Sequence, residues 1–175
     1  MKTLNSPDRL LYDESMAKEW KSWPLFGAVI VVDQKDVPKD AQVVTTRWVH
    51  TDENALAQAS GKKLPTLAKS RLVVQGYKEI GDFRSDPPTA SLLAFNLLCS
   101  IAASKNWTLA AGDAPNAYLQ GDPLERILVL MPPKPLPDPA LEGKYLVAKS
   151  GIYGTRDAGR GFWMKLRRRM GLTPA

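Results

Sequence analysis

The longest uncharged run of the chain extends from Pro87 to Ser104 and constrains the fold more than any other feature. Pro87 and Pro88 stop any regular element, and Thr89 or Ser91 can cap a helix that begins after them. From Leu92 to Ser104 the residues are apolar around most of a helical circumference, which predicts a helix at the centre of the core. The prolines and Asn96 leave too short an apolar stretch for a membrane span.

Short β-branched runs bounded by glycine, proline and aspartate surround this helix and predict strands. Their spacing is mixed, with no regular alternation of strands and helices, so an α+β fold with a mixed or antiparallel sheet packed on helices is favoured over a doubly wound sheet. The predicted strands are Ala28–Val32, Val43–Val49, Leu67–Tyr77, Trp107–Ala111, Ile127–Met131 and Lys144–Lys149, and the further helices are Asp13–Trp20 and Phe162–Met170.

The composition favours a partner that carries negative charge. Lysine and arginine total 24 against 18 acidic residues, a formal net charge of +6, as expected for a protein that binds nucleic acid or for a generic basic protein. Cys99 is the sole cysteine, which excludes an intramolecular disulfide and favours a reducing, intracellular setting. His50 is the sole histidine and lies in a predicted strand, so a Ser/His/Asp hydrolase is disfavoured.

One carboxylate has the surroundings of a metal ligand. Gly112 and Pro115 force a change of direction around Asp113, which would lie at the end of the predicted strand Trp107–Ala111. Mg²⁺ prefers one or two carboxylates together with phosphate oxygens, and an exposed aspartate beside a compact turn offers such a partial site. The alternative is that Asp113 caps a turn or a helix.

Two groups of cations are candidates for binding phosphate. Lys69 and Arg71 are two residues apart in a predicted strand, so both side chains point to the same face. In the predicted helix near the end of the chain, apolar residues recur every four positions, so much of the basic run between them faces outward. The basic run comprises Lys165, Arg167, Arg168 and Arg169. A solvated strand face and a solvated helix face are the alternatives.

Four blocks, taken in order, resemble copia-type retrotransposon reverse transcriptases, which are RNA-dependent DNA polymerases. The resemblance extends from about Glu14 to Gly171 and corresponds to the amino-terminal portion of such a domain. The blocks are Arg47–Val49, Ala68–Tyr77, Gly112–Gly121 and Ile152–Gly154, the last followed by Asp157, Ala158 and Trp163.

The resemblance implies a right-hand polymerase architecture. Residues 1–88 would form the fingers, 89–121 a palm segment that carries the first catalytic aspartate, 122–157 a return to the fingers, and 158–175 the start of a second palm segment. The implied partners are an RNA template, a DNA primer, a deoxynucleoside triphosphate and the remainder of a Pol polyprotein, without a membrane. The implied location is cytoplasmic or nuclear, or inside virus-like particles.

The resemblance also implies roles for individual residues. Asp113 would be catalytic and would bridge two Mg²⁺ or Mn²⁺ ions, with the Ala114 carbonyl completing one coordination shell. Tyr118 would clash with a 2′ hydroxyl and so favour deoxynucleotides, unless it is simply a core tyrosine. Backbone amides of Asn116 and Ala117 would approach the triphosphate, which Lys69 or Arg71 would neutralise.

The sequence departs from the family pattern at several positions. No two aspartates are adjacent, so the Tyr-x-Asp-Asp motif with the remaining catalytic carboxylates is absent, and we expect a polymerase fragment that is inactive alone. Asp157 replaces a glutamine and would repel a triphosphate, Gly159 replaces a proline, and Thr155 replaces a leucine at a packing position. A non-catalytic nucleic-acid-binding module or a pseudogene relic are the alternative interpretations.

Overall fold

A computed structural model describes residues 6–82, 85 and 89–172, and it has the α+β composition predicted from the sequence. Pro87 and Pro88, expected to stop regular structure, lie outside the described residues. Within the described ranges the chain forms four α-helices and five strands, besides short 3-10 helices. In chain order they are α1 (Ser6–Leu25), β1 (Val29–Asp33), β2 (Gln42–Asp52), α2 (Ala55–Ala59), β3 (Ala68–Val74), α3 (Leu92–Ser104), β4 (Pro123–Met131), β5 (Lys144–Ser150) and α4 (Ala158–Arg169).

The strands of the described part form a mixed sheet in the order β1-β5-β4-β2-β3. β2 is long enough to pair twice: its first residues run parallel to β4, and the rest run antiparallel to β3. Both β1 and β4 pair antiparallel with β5. Strands from 122–157 therefore lie in the same sheet as strands from the first 88 residues. Five of the six predicted strands are confirmed, with shifted ends.

Helix α1 covers β3 and closes the core. Trp23 is buried completely at this contact, and Leu72 and Leu130 are buried in the same hydrophobic cluster. The outward N–H groups of the edge strand β3 are also satisfied: Ser70 N donates to Ser15 Oγ at 2.7 Å and Leu72 N to a Glu19 carboxylate oxygen at 3.3 Å. An edge paired in this way offers fewer backbone donors to another chain.

Helix α3 forms where the sequence predicts it, but the prediction that it lies at the centre of the core is wrong. Ser91 caps it, with Oγ accepting from Ala94 N at 3.1 Å. Every residue of α3 is described, and only Ala102 is buried; Leu93 is 80% exposed and Leu97 59%. No other described element packs extensively on this helix, because the five strands and α1 already satisfy one another.

The strand predicted over Trp107–Ala111 is also wrong. This segment has no regular structure, and Trp107 and Leu109 are both more than half exposed. A strand needs a hydrogen-bonded neighbour, and no described strand pairs with these residues. Within the described residues, no helix is both long enough and apolar enough to cross a membrane.

Candidate nucleotide-binding site

Strand β3 presents its two predicted phosphate-binding cations in different environments. Residues 69 and 71 alternate with buried Ser70 and Leu72, so both cations lie on one face, as predicted. Lys69 forms an ion pair with Glu53 on the neighbouring loop. The Arg71 guanidinium carbon instead lies 5.6 Å from the centre of the Tyr153 ring, within the range of a cation–π contact. Arg71 is therefore the cation held at an aromatic surface.

The turn that carries Tyr153 reaches β3 because two glycines allow the backbones to touch. Gly154 has φ +93°, and a Cβ there would lie 2.1 Å from the Val74 carbonyl oxygen. A Cβ on Gly76 would lie 2.0 Å from the Gly154 carbonyl oxygen. Val74 N donates to the Tyr153 carbonyl at 2.8 Å, which locks the turn onto the strand. Close approach thus requires glycine at both positions.

Thr155 closes the same turn from inside. Its hydroxyl donates to the Ile152 carbonyl at 2.9 Å and accepts from Ile152 N at 3.2 Å. Thr155 is buried, as its packing position predicts, and both hydrogen-bonding functions of the hydroxyl are used. The replacement of leucine by threonine therefore introduces no unsatisfied polar group at this position.

Tyr118 joins the site from a short 3-10 helix, Ala117–Gln120. Its ring centre lies 5.0 Å from that of Tyr153 with an interplanar angle of 57°, a tilted aromatic pair. Asn116 begins this helix with φ +52°, a left-handed conformation that asparagine tolerates better than most residues. Arg71, Tyr153 and Tyr118 thus form a continuous row of side chains.

Tyr153 is a site residue that the sequence-based residue assignments missed. Burial is the largest cause of its raised pKa, and Glu19, Tyr118 and Asp113 raise the pKa further by their charges, while Arg71 lowers it. The phenol hence stays neutral at physiological pH, and its ring contacts Arg71 and Tyr118. The signal in the sequence was the Tyr153-Gly154 pair. A position that must be glycine because two backbones touch there also holds the preceding residue in a defined place.

Asp113 lies close enough to this row to influence Tyr153, but it is not at a strand end. It is exposed, in the irregular segment that also contains exposed Ala114. Among the described residues no group of three or more histidine, cysteine, aspartate or glutamate side chains could hold a metal ion. The donor set present is therefore too small by itself for the two-ion site that the resemblance implies.

Asp157, which was expected to repel a triphosphate, forms an ion pair with a neighbouring cation. Arg126 on β4 binds it through two hydrogen bonds, Nη1 to Oδ2 at 2.5 Å and Nη2 to Oδ1 at 3.0 Å. The same guanidinium donates from Nη2 to Oε2 of buried Glu79 at 2.6 Å. The ion triad of Glu79, Arg126 and Asp157 joins three chain segments, and because one guanidinium is shared by two carboxylates it offsets only part of their negative charge.

The basic run near the end of α4 is divided between separate surroundings. Arg168 forms an ion pair with Asp122, and Arg167 Nε donates to the Leu172 carbonyl at 3.1 Å. Arg169 is exposed, whereas Lys165 lines a cavity beside Gly121. The run is therefore not one uniform phosphate-binding surface.

Comparison with known proteins identifies a family over most of the chain. No curated protein and no solved structure shows a significant match. The family profile described as "Reverse transcriptase (RNA-dependent DNA polymerase)" matches residues 30–171. This span includes the strand with Arg71, the segment with Asp113 and Tyr118, and the turn with Tyr153. The chain therefore belongs to the reverse transcriptase family.

Proposed function

We propose that this chain is the nucleotide-binding and template-binding portion of a copia-type retrotransposon reverse transcriptase. The observation that carries the proposal is the row formed by Arg71, Tyr153 and Tyr118, with Asp113 nearby. A guanidinium at one end of an aromatic surface, with a carboxylate close enough to influence Tyr153, suits a deoxynucleoside triphosphate. Arg71 would bind the phosphates, and the rings would contact the sugar and exclude water from it.

Asp113 is proposed as a divalent-cation ligand that acts together with the phosphate oxygens of a bound nucleotide. Mg²⁺ commonly takes several of its ligands from substrate phosphates, so a single exposed carboxylate is enough to supply a protein ligand. A bound ion would supply charge neutralisation of the triphosphate. The residues of this chain bind and orient the nucleotide, and we propose that polymerisation requires carboxylates from the remainder of a Pol polyprotein.

The uncovered surface of α3 supports the need for that remainder. Its leucines and Phe95 are exposed, and so are Trp107 and Leu109 in the irregular segment that follows the helix. Apolar area of this extent is costly in water, at about 25 cal/mol per Å². A further layer of the polymerase, contributed by the remainder of the polyprotein, would bury it and would order the segment that carries Asp113.

Equilibrium binding of a radiolabelled deoxynucleoside triphosphate to the 175-residue chain tests the proposal. Arg71→Gln removes charge-assisted contacts that contribute about 1.5–3 kcal/mol, so affinity should fall roughly 10- to 150-fold. Arg9→Gln is the matched control, because Arg9 is exposed on α1 and lies ten residues, about 15 Å along the helix, before Glu19, which contacts Leu72 next to Arg71.

The role of Asp113 is tested by the Mg²⁺ dependence of the same binding. The wild-type affinity should rise with Mg²⁺, and Asp113→Asn should reduce this dependence. Equal affinity of the wild type and Arg71→Gln for the nucleotide would refute the proposal. Salt-sensitive binding of RNA or DNA that is unaffected by Asp113→Asn, with no nucleotide binding, would favour a non-catalytic nucleic-acid-binding module.

A further inference from the structure

A cavity of about 350 Å³ opens where the 3-10 helix of Tyr118 ends. Its wall combines four parts of the fold: the turn before β1, the segment from the 3-10 helix to the start of β4, the end of β5 and the middle of α4. The residues that matter for its chemistry are Gly121, Lys149, Ser150 and Lys165.

The frame of this cavity is held by buried contacts. Ser150 Oγ donates to the Leu119 carbonyl at 3.1 Å, and Lys149 N donates to the Ala28 carbonyl at 2.7 Å. Gly121 is buried between the 3-10 helix and α4: a Cβ there would lie 3.1 Å from the Tyr118 carbonyl oxygen and 3.3 Å from Phe162 N. The backbones that carry the two lysines are thus fixed relative to each other.

The charge of the cavity is positive and uncompensated by its own wall. Lys149 and Lys165 both line it, and no aspartate or glutamate does so among the described residues. Neither ammonium forms an ion pair with any residue that the structure describes, whereas Lys69, Lys144 and Arg168 each pair with a carboxylate. Two cations on a fixed concave surface concentrate anions there.

We propose that this cavity binds a phosphate group of a nucleic-acid backbone through Lys149 and Lys165. Lysine is a compact charge with three rotatable donors, which suits the tetrahedral oxygens of a phosphate. Gly121 follows the 3-10 helix directly and is three residues after Tyr118, about 6 Å along the helix axis. This distance is roughly two nucleotide steps at ~3.4 Å each, which would allow one strand to contact both the nucleotide site and the cavity.

The choice of a nucleic-acid strand as the source of the phosphate rests on the proposed function. The experiment measures fluorescence anisotropy of a labelled RNA–DNA hybrid duplex with the whole chain across a salt series. The test variant is Lys149→Gln with Lys165→Gln. The control is Lys35→Gln with Lys39→Gln, which removes the same charge beyond the other end of β1.

Loss of two phosphate contacts should reduce the salt slope by roughly 1.4 to 1.8, equivalent to a roughly 25- to 60-fold loss of affinity at about 0.1 M salt. The control should change affinity by less than about threefold, because screening at that salt limits distant charges. Far-UV circular dichroism during heating checks that both variants fold like the wild type.

Amide spectra of the labelled wild type distinguish the source of the phosphate. Shifts at Lys149, Ser150 and Gly121 on addition of duplex support the proposal. Shifts with inorganic phosphate but not with duplex would overturn the nucleic-acid source. If the wild type binds duplex and the lysine variant binds equally well, the cavity assignment alone fails. If the wild type binds no duplex, the proposed function fails with it.

Discussion

The ion triad of Glu79, Arg126 and Asp157 makes a sharp prediction about stability. The side chain of Glu79 is 0% exposed, that of Arg126 21% and that of Asp157 25%. Glu79 Oε1 has no hydrogen-bond partner among the described residues, so the charge of this carboxylate is balanced mainly through Oε2. Arg126→Met would remove that balance and leave a buried carboxylate unpaired.

We expect this substitution to lower the free energy of unfolding by about 3–5 kcal/mol, the usual cost of removing one partner from a buried ion pair. A domain of ordinary stability has ~5–15 kcal/mol in total, so the loss should be easy to detect. Urea titration followed by tryptophan fluorescence and circular dichroism measures it, and agreement of the two probes checks two-state unfolding.

Arg168→Met is the matched control, because Arg168 forms an ion pair with Asp122 but its side chain is 66% exposed. An exposed pair contributes about 0–1 kcal/mol, so this variant should unfold almost like the wild type. Adding Glu79→Met to Arg126→Met removes the fully buried one of the two carboxylates that lose their partner, and it should restore part of the stability. Equal effects of Arg126→Met and Arg168→Met, or a double variant no better than the single one, would refute the reasoning.

One substitution and one titration test the structure around the site. Gly154→Ala should destabilise the fold by more than about 2 kcal/mol, because residue 154 has a φ of +93° and a Cβ there would lie 2.1 Å from the Val74 carbonyl oxygen. Gly143→Ala is the control: with φ +69° and open space around the Cβ, it should cost only the backbone strain of about 1–2 kcal/mol. Urea titration compares the two variants. Burial lowers the pKa of His50, and Asp13 opposes this shift. The neutral ring therefore contributes to the free energy of unfolding above the usual pKa of 6.5, and this contribution is lost as the pH falls through the pKa of the folded state. Because His50 is the sole histidine, its ring proton signal in an NMR titration reports the pKa directly, and a midpoint at or above 6.5 would contradict this prediction.

The sequence predicts the sheet well because each strand carries its own pattern. β2, β3, β4 and β5 were all predicted from short apolar or β-branched runs, and all occur with shifted ends. The site was less predictable, since ring contacts depend on residues distant in the chain. Lys69 and Arg71 share one strand face as expected, but only the folded chain shows that Glu53 binds the first and Tyr153 lies beneath the second.

The effect of the departures from the family pattern also required the fold. Asp157 reads as a repulsive charge in the sequence, because its partner Arg126 is 31 residues away and belongs to another strand. Thr155 reads as a polar group at a buried position, but its hydroxyl bonds to a residue three positions earlier. A local pattern identifies which groups need partners, and the tertiary structure determines whether they have them.

The apolar residues of helix α3 likewise need a partner surface, and the described part of the chain does not supply one. The proposed site therefore has two parts that differ in how firmly they are held. Arg71 and Tyr153 stand on a buried sheet and a turn locked by Gly76 and Gly154, whereas Asp113 follows the uncovered helix in an irregular segment. Segments with few buried contacts open at low free-energy cost. Nucleotide contacts through Arg71 should therefore be preorganised in this chain, while the position of the carboxylate at 113 should become fixed only when another surface covers α3 or when a bound ion draws it to the phosphates.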